Sequence, residues 1–256
     1  MDNRPIGIMD SGIGGLTVAK VLHEQYPLEG ICFLGDSLRN PYGEKTQEDI
    51  VRYSFAIRDF LLRQNVKMIL IACNTISFNV PPSFFAGDIP VVKMSMDVPA
   101  EDAGKIGIFA TPATIGTHVH KEYFRKKYPD KAVAEIPCEG LAAAIERNEG
   151  ENVISALVEK ALKEYHAFDI DTGVWACTHY PLIGDIFRRL LPKVSFLNPA
   201  LPTVEQGMEI LRAQDRLADR AQEKRFYFTA DPEHAEPIVE KIFGRVKTEK
   251  AELTGV

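Results

Sequence analysis

Short apolar runs alternate with longer segments of helical spacing along nearly the whole chain. The runs are Ile6–Met9, Ile31–Leu34, Met68–Ala72, Val91–Val92, Ile106–Phe109, Ala132–Ile136, Gly173–Ala176, Val194–Leu197 and Phe226–Phe228. Runs of this length, each followed by a helix-like segment, are what strands of a parallel sheet covered on both faces require. A helix is predicted from Thr46 to Gln64: Ile50, Tyr53, Ile57, Phe60 and Leu61 share one face. Thr46 with Asp49 resembles a capping box, with Asp in place of Glu. The predicted class is α/β.

Two of these strands end in similar words. Met68-Ile69-Leu70-Ile71-Ala72-Cys73-Asn74-Thr75 is echoed by Thr172-Gly173-Val174-Trp175-Ala176-Cys177-Thr178-His179. An Ala-Cys pair therefore stands twice at the carboxyl end of a strand, where open α/β sheets bind their ligands. The echo predicts two similar parallel-sheet halves with the site in the cleft between them. The first half covers 1–95 and is completed by 207–256; the second covers 96–206. No Gly-, Pro- or Ser-rich linker marks the seam.

Composition narrows the function classes. The 256 residues, 45% of them hydrophobic, can bury a substantial core, and a net charge of −6 carries no nucleic-acid footprint. The densest basic run, Lys121 with Arg125, Lys126 and Lys127, is broken by Glu122 and reads as the wet face of a helix. No apolar h-region follows Met1, and no stretch reaches the roughly 18 apolar residues of a membrane span. A cytoplasmic protein without membrane contact is expected. Cys32, Cys73, Cys138 and Cys177 are widely spaced and no two of them sit at zinc-ligand spacing with a His, so free thiols and no metal are expected. His118 and His120 read as surface or partner-bonded, Trp175 and Phe168 as core.

The chemistry gathers at strand ends. Gly7-Ile8-Met9-Asp10-Ser11-Gly12-Ile13-Gly14-Gly15 runs from a strand through a Gly-rich turn into a helix, and fits neither the dinucleotide fingerprint nor the P-loop. Its ordinary reading is a tight βα turn in which Asp10 or Ser11 caps the helix. Cys73 and Cys177 shift the weight. Each is expected between a strand end and a helix start, where free N–H groups stabilise a thiolate. Asp10 and His179 stand near enough to assist. Two thiols across one cleft suit inversion of a carbon centre, in which one removes a proton while the other supplies one from the far face. Ser11, Asn74, Thr75 and Thr178 have the chemistry to hold a carboxylate as charge grows on it.

Five words in order, Asp10-Ser11-Gly12-Ile13-Gly14-Gly15-Leu16-Thr17-Val18, Asn40-Pro41-Tyr42-Gly43, Ala72-Cys73-Asn74-Thr75, Cys177-Thr178-His179-Tyr180-Pro181-Leu182 and Phe228-Thr229-Ala230-Asp231-Pro232, make the chain resemble a glutamate racemase of the aspartate/glutamate racemase superfamily. The resemblance implies two flavodoxin-like domains related by a pseudo-two-fold, and interconversion of L- and D-glutamate without pyridoxal phosphate or any other cofactor. It implies D-glutamate supply for peptidoglycan in a bacterium. Cys73 and Cys177 would be the catalytic pair, Asp10 and His179 their assistants, and Glu146, eight residues after Cys138, a further one. Asp10, Ser11, Pro41, Tyr42, Gly43, Asn74, Thr75, Thr178 and His179 would hold the substrate. Three departures bear on specificity: Ile76-Ser77-Phe78 where smaller residues are usual, Ala176 where Gly is usual, and a small, polar segment at 139–145. Aspartate racemase and a non-catalytic amino-acid-binding protein stay open as alternatives. The absent fingerprint disfavours a nucleotide-binding oxidoreductase. A homodimer is the default for the assembly.

Overall fold

The computed structural model describes residues 1–256 apart from the side chain of Phe168, so the core reading of that residue lies outside the described residues. Its strands are β1 (Ile6–Asp10), β2 (Ile31–Gly35), β3 (Met68–Ile71), β4 (Val91–Val92), β5 (Lys105–Ala110), β6 (Ala132–Pro137), β7 (Thr172–Ala176), β8 (Ser195–Leu197), β9 (Lys224–Phe228) and β10 (Thr248–Lys250). Between and after them come the helices α1 (Leu16–Gln25), α2 (Gln47–Arg63), α3 (Asn74–Asn79), α4 (Pro112–Ile115), α5 (Val119–Lys127), α6 (Leu141–Glu146), α7 (Glu151–Glu164), α8 (Gly184–Leu190), α9 (Ala200–Ala213) and α10 (Pro232–Phe243).

The strands form two sheets, ordered β10-β9-β2-β1-β3-β4 and β6-β5-β7-β8. Every pairing is parallel. In both sheets the four consecutive strands wind in the order second, first, third, fourth, the flavodoxin-like pattern whose ligand crevice lies at the carboxyl ends beside the first and third strands. Cys73 follows the third strand of one sheet and Cys177 the third strand of the other. The first strands match as well: Ile6-Gly7-Ile8 of β1 corresponds to Ile106-Gly107-Ile108 of β5. Three residues are too short an echo to stand out until the strands are superimposed by their place in the sheets.

Alternation along the central strands feeds an apolar layer on each face. Met68 and Leu70 of β3 point into the layer under α1, α9 and α10, while Ile69 and Ile71 meet Ile50, Ile57 and Leu61 of α2. In the second sheet Val174 and Ala176 face Phe124 of α5, and Trp175 packs with Phe187 and Val158 of α8 and α7. Each fully buried Ile, Leu or Phe stabilises the fold by roughly 1.5–3 kcal/mol, so strands buried on both faces hold the site's floor rigid.

The helix expected at 46–64 forms, with Thr46 as N-cap accepting from the Asp49 N–H at 3.2 Å. The capping box is incomplete. Asp49 is one methylene shorter than Glu, and its carboxylate accepts the Thr46 hydroxyl at 3.1 Å instead of reaching back to the backbone. Tyr53, placed by periodicity on the apolar face, is only half-buried, at the edge of that face. The strand β10 has no apolar signature. Thr248–Lys250 is an edge held by main-chain pairing to β9, with Thr248 half-buried and Glu249 and Lys250 exposed.

Candidate active site

The carboxyl ends of both sheets face one small cavity. Ser11, Cys73, Asn74, Thr75 and the loop Pro41-Tyr42-Gly43 line it from the first sheet's side. Thr111, Ala142, Cys177, Thr178 and His179 line it from the second. The structure thus brings both sulfurs to one space.

On the first side the Cys73 thiol donates to Ser11 Oγ at 3.7 Å, and the Ser11 hydroxyl donates to Asp10 Oδ1 at 3.2 Å. Asp10 reaches Cys73 through this hydroxyl. It is fully buried and also accepts from Gly12 N–H and from the Thr178 hydroxyl, both at 2.9 Å. The cap expected of Asp10 or Ser11 is not made: Gly15 is the N-cap of α1, without a side-chain bond. Asp10 instead ties the end of β1 to the turn after β7.

The thiolate expected at Cys73 is not favoured in this closed site. Burial pushes the thiol well above its usual range and the Asp10 charge adds to it, while the Ile76 N–H and Ser11 hydrogen bonds oppose them and lose. α3 is only six residues long. Cys177 lacks even that, since a 3-10 turn at Tyr180–Ile183 follows it and not an α-helix.

Burial likewise pushes Asp10 up to about 6, against the pull of His179 and of its hydrogen bonds. The folded protein keeps this proton to a higher pH than the unfolded chain, whose carboxyl releases it near its ordinary value. Stability therefore falls as pH rises between those values. Relative to Asp10→Asn, the wild type should lose on the order of 3 kcal/mol between about pH 4 and pH 7. Urea melts across that range check it, and parallel pH curves for the two proteins would refute it.

On the second side the imidazole is the organiser. His179 Nδ1 lies 3.9 Å from Cys177 Sγ, and Nε2 lies 2.7 Å from Glu146 Oε2. Burial works against a charged ring, but the hydrogen bonds to Cys177 and Glu146 raise His179 well above the usual imidazole range. The protonated ring donates from both nitrogens and sets a positive charge against the Cys177 sulfur. Glu146, the last residue of α6, also accepts the Ile13 N–H at 3.0 Å. It stands behind His179, outside the cavity lining. Gly14 makes this packing possible: a Cβ there would sit 2.5 Å from His179 Nδ1.

The Pro41-Tyr42-Gly43 loop is braced from beneath. The Tyr42 hydroxyl donates to Asp36 Oδ2 at 2.5 Å, the Thr229 hydroxyl donates to Oδ1 at 2.6 Å, and Arg39 pairs with the same carboxylate at 2.9 Å. The late word at 228–232 thus bears on the site through Asp36 rather than by lining it. Thr75 bonds Thr111 at 2.9 Å across the halves. Thr111 and Ala142 line the cavity although neither stands out in the sequence. Thr111 carries a usable signal, since it follows β5 as Ser11 follows β1.

Phe78 does not reshape the cleft wall. It is absent from the cavity lining and packs edge-on against His120, ring centres 4.7 Å apart. Of 139–145 only Ala142 reaches the cavity, and Ala176 is buried in the layer beneath α5. His118 bonds Glu135 at 3.0 Å and His120 bonds Asn74 at 3.3 Å, as partner-bonded histidines. Among the described residues no group of three or more His, Cys, Asp or Glu could hold a metal ion. No helix among them is long and apolar enough to cross a membrane.

Comparison with known proteins sets this geometry in a family. The chain is 34% identical over 240 residues to a glutamate racemase of Limosilactobacillus reuteri, covering 90% of each chain. This chain belongs to the glutamate racemase family. A glutamate racemase isoform from Bacillus anthracis superposes with a TM-score of 0.87 at 30% identity, over 100% of both chains. A glutamate racemase from Francisella tularensis, solved in complex with D-glutamate, does so with a TM-score of 0.87 at 31% identity, again over 100% of both chains. No family model matches the chain. Glutamate racemases are isomerases, and in this member both halves, both strand-end cysteines and the polar groups between them are present.

Proposed function

We propose that this protein interconverts L- and D-glutamate by a two-thiol mechanism in the cavity between the sheets, supplying D-glutamate for peptidoglycan in the cytoplasm. The observation that carries it is the convergence of Cys73 and Cys177, from equivalent third strands, on one cavity. Kinship with proteins named glutamate racemase supports the substrate. We draw the two domains at the sheets. Ala200, Val204, Met208 and Leu211 of α9 pack in the first sheet's core, which supports drawing the return to the first domain near residue 199.

In the step itself one cysteine, as thiolate, takes the α-proton of the enantiomer whose C–H bond faces it. The electron pair left on the α-carbon spreads into the carboxylate. The other cysteine, as thiol, gives its proton to the opposite face, so one S–H bond forms as the other breaks and the centre inverts. The reverse turnover starts with the roles exchanged. Asp10, through Ser11, serves Cys73; His179, charged and held by Glu146, serves Cys177. Asn74 and Thr75, which line the cavity, hold the substrate's carboxylate and meet the charge as it grows, while the Ser11 and Thr178 hydroxyls are engaged by Asp10. Acid/base groups alone contribute about 10²–10⁴-fold, so orientation and these fixed donors carry the remainder.

The test is circular dichroism with L-Glu, D-Glu, L-Asp and D-Asp in deuterium oxide. Inversion of glutamate with deuterium at the α-carbon of the product is expected. Inversion of aspartate in preference would move the assignment to the aspartate racemase alternative, and binding without exchange would move it to a non-catalytic receptor.

A further inference from the structure

Asn74 is the first residue of α3 and lines the cavity, only 2% exposed. Its two amide ends are treated differently. Oδ1 lies 3.3 Å from His120 Nε2, whereas the buried Nδ2 has no partner at all. Buried amide donors are rarely left unpaired, because each forfeits its hydrogen bonds to water. An Asn amide is nearly symmetric in shape, so only its hydrogen-bond partners decide which end is oxygen.

His120 comes from α5 on the opposite sheet and is 3% exposed. Phe78, one turn after Asn74 on α3, holds the imidazole edge-on at 4.7 Å, so the ring is gripped by the helix it serves. Burial lowers His120 to about 4, which leaves the ring neutral at working pH with a proton on one nitrogen only. With that proton on Nε2 the ring donates to Asn74 Oδ1. With it on Nδ1, Nε2 becomes an acceptor and the amide is reversed, turning oxygen toward the ligand.

We propose that His120 is a positioning residue: its Nε2–H holds Asn74 Oδ1, so that the free Nδ2 donors face the substrate's α-carboxylate. The inference rests on the racemase reading of the cavity. It accounts for the orphaned amide nitrogen, whose missing partner is the carboxylate of an amino-acid ligand. It also gives Phe78 a function away from the cleft wall. The carboxylate is common to both enantiomers, so the effect is on binding from either side.

Nitrogen-15 NMR of the wild-type imidazoles should show His120 as the neutral Nε2–H tautomer, a measurement that needs no variant to fold. In racemisation kinetics, His120→Phe should raise KM for both enantiomers about tenfold, with kcat changed less. His120→Gln, which keeps an amide donor, should restore KM to within about threefold. Added to Asn74→Ala, His120→Phe should cost almost nothing more, as coupled neighbours require. An Nδ1–H tautomer, an unchanged KM in His120→Phe, or full additivity with Asn74→Ala overturns the positioning role. A wild type that binds but never inverts glutamate overturns the racemase reading instead.

Discussion

Cys73→Ala and Cys177→Ala should each lower glutamate inversion by about 10²–10⁴-fold, the contribution of a positioned acid/base group. Since the equilibrium constant of a racemisation is unity, kcat/KM must fall equally in both directions for either variant. The two are told apart by exchange. A protein left with one thiol can still remove the α-proton from the enantiomer that faces it and return a deuteron to the same face. Cys73→Ala and Cys177→Ala should therefore retain slow, non-inverting exchange with opposite enantiomers in deuterium oxide. Both cysteines are nearly inaccessible, at 5% and 6% exposure, so the α-carbon must lie between their sulfurs with little solvent to stand in. Near wild-type inversion by either alanine variant would end the two-thiol assignment, and circular dichroism in the far ultraviolet checks that each variant is folded.

The next largest effect is expected at His179. Replacing it by Asn removes the charge that faces Cys177 and should cost about 10²-fold in kcat/KM, the low end for an acid/base partner. Glu146→Gln should cost less, because Glu146 acts through the ring and not on the substrate. Its distinguishing mark is in the pH profile. The hydrogen bond to Glu146 is one of the interactions that raise His179 above the usual imidazole range. Weakening it lets the ring lose its proton at lower pH, so the alkaline limb of the rate profile should move toward neutrality in Glu146→Gln. A profile that keeps its position while the rate falls would make Glu146 a purely structural group. Ile13 must be watched in this variant, since its N–H donates to the same carboxylate.

How Asp10 and Glu146 are used shows where the sequence stops speaking. Asp10 is legible as an assistant because it ends a strand beside the one that carries Cys73. Nothing local, however, shows that it bonds Thr178 from the other half. The ordinary expectation, a helix cap, fails because Gly15 already takes that place. Glu146 stands 33 residues from its partner His179, and spacing from Cys138 is the only cue. Phe78 follows Asn74 closely enough to suggest a wall of the cleft; the rise of one helical turn, about 6 Å along the same face, carries it past the cavity onto His120.

The α/β class, the strands with continuous apolar runs, the helix capped by Thr46 and the two Ala-Cys strand ends were all determined by the chain alone. Those features depend on residues close in sequence, where periodicity and strand-end position are local properties. The protonation of Cys73 and Asp10, the pairing of His179 with Glu146 and the orientation of the Asn74 amide were decided only by tertiary structure. Each depends on burial and on the partners brought in from distant segments, and both are properties of the packed fold rather than of any stretch of sequence.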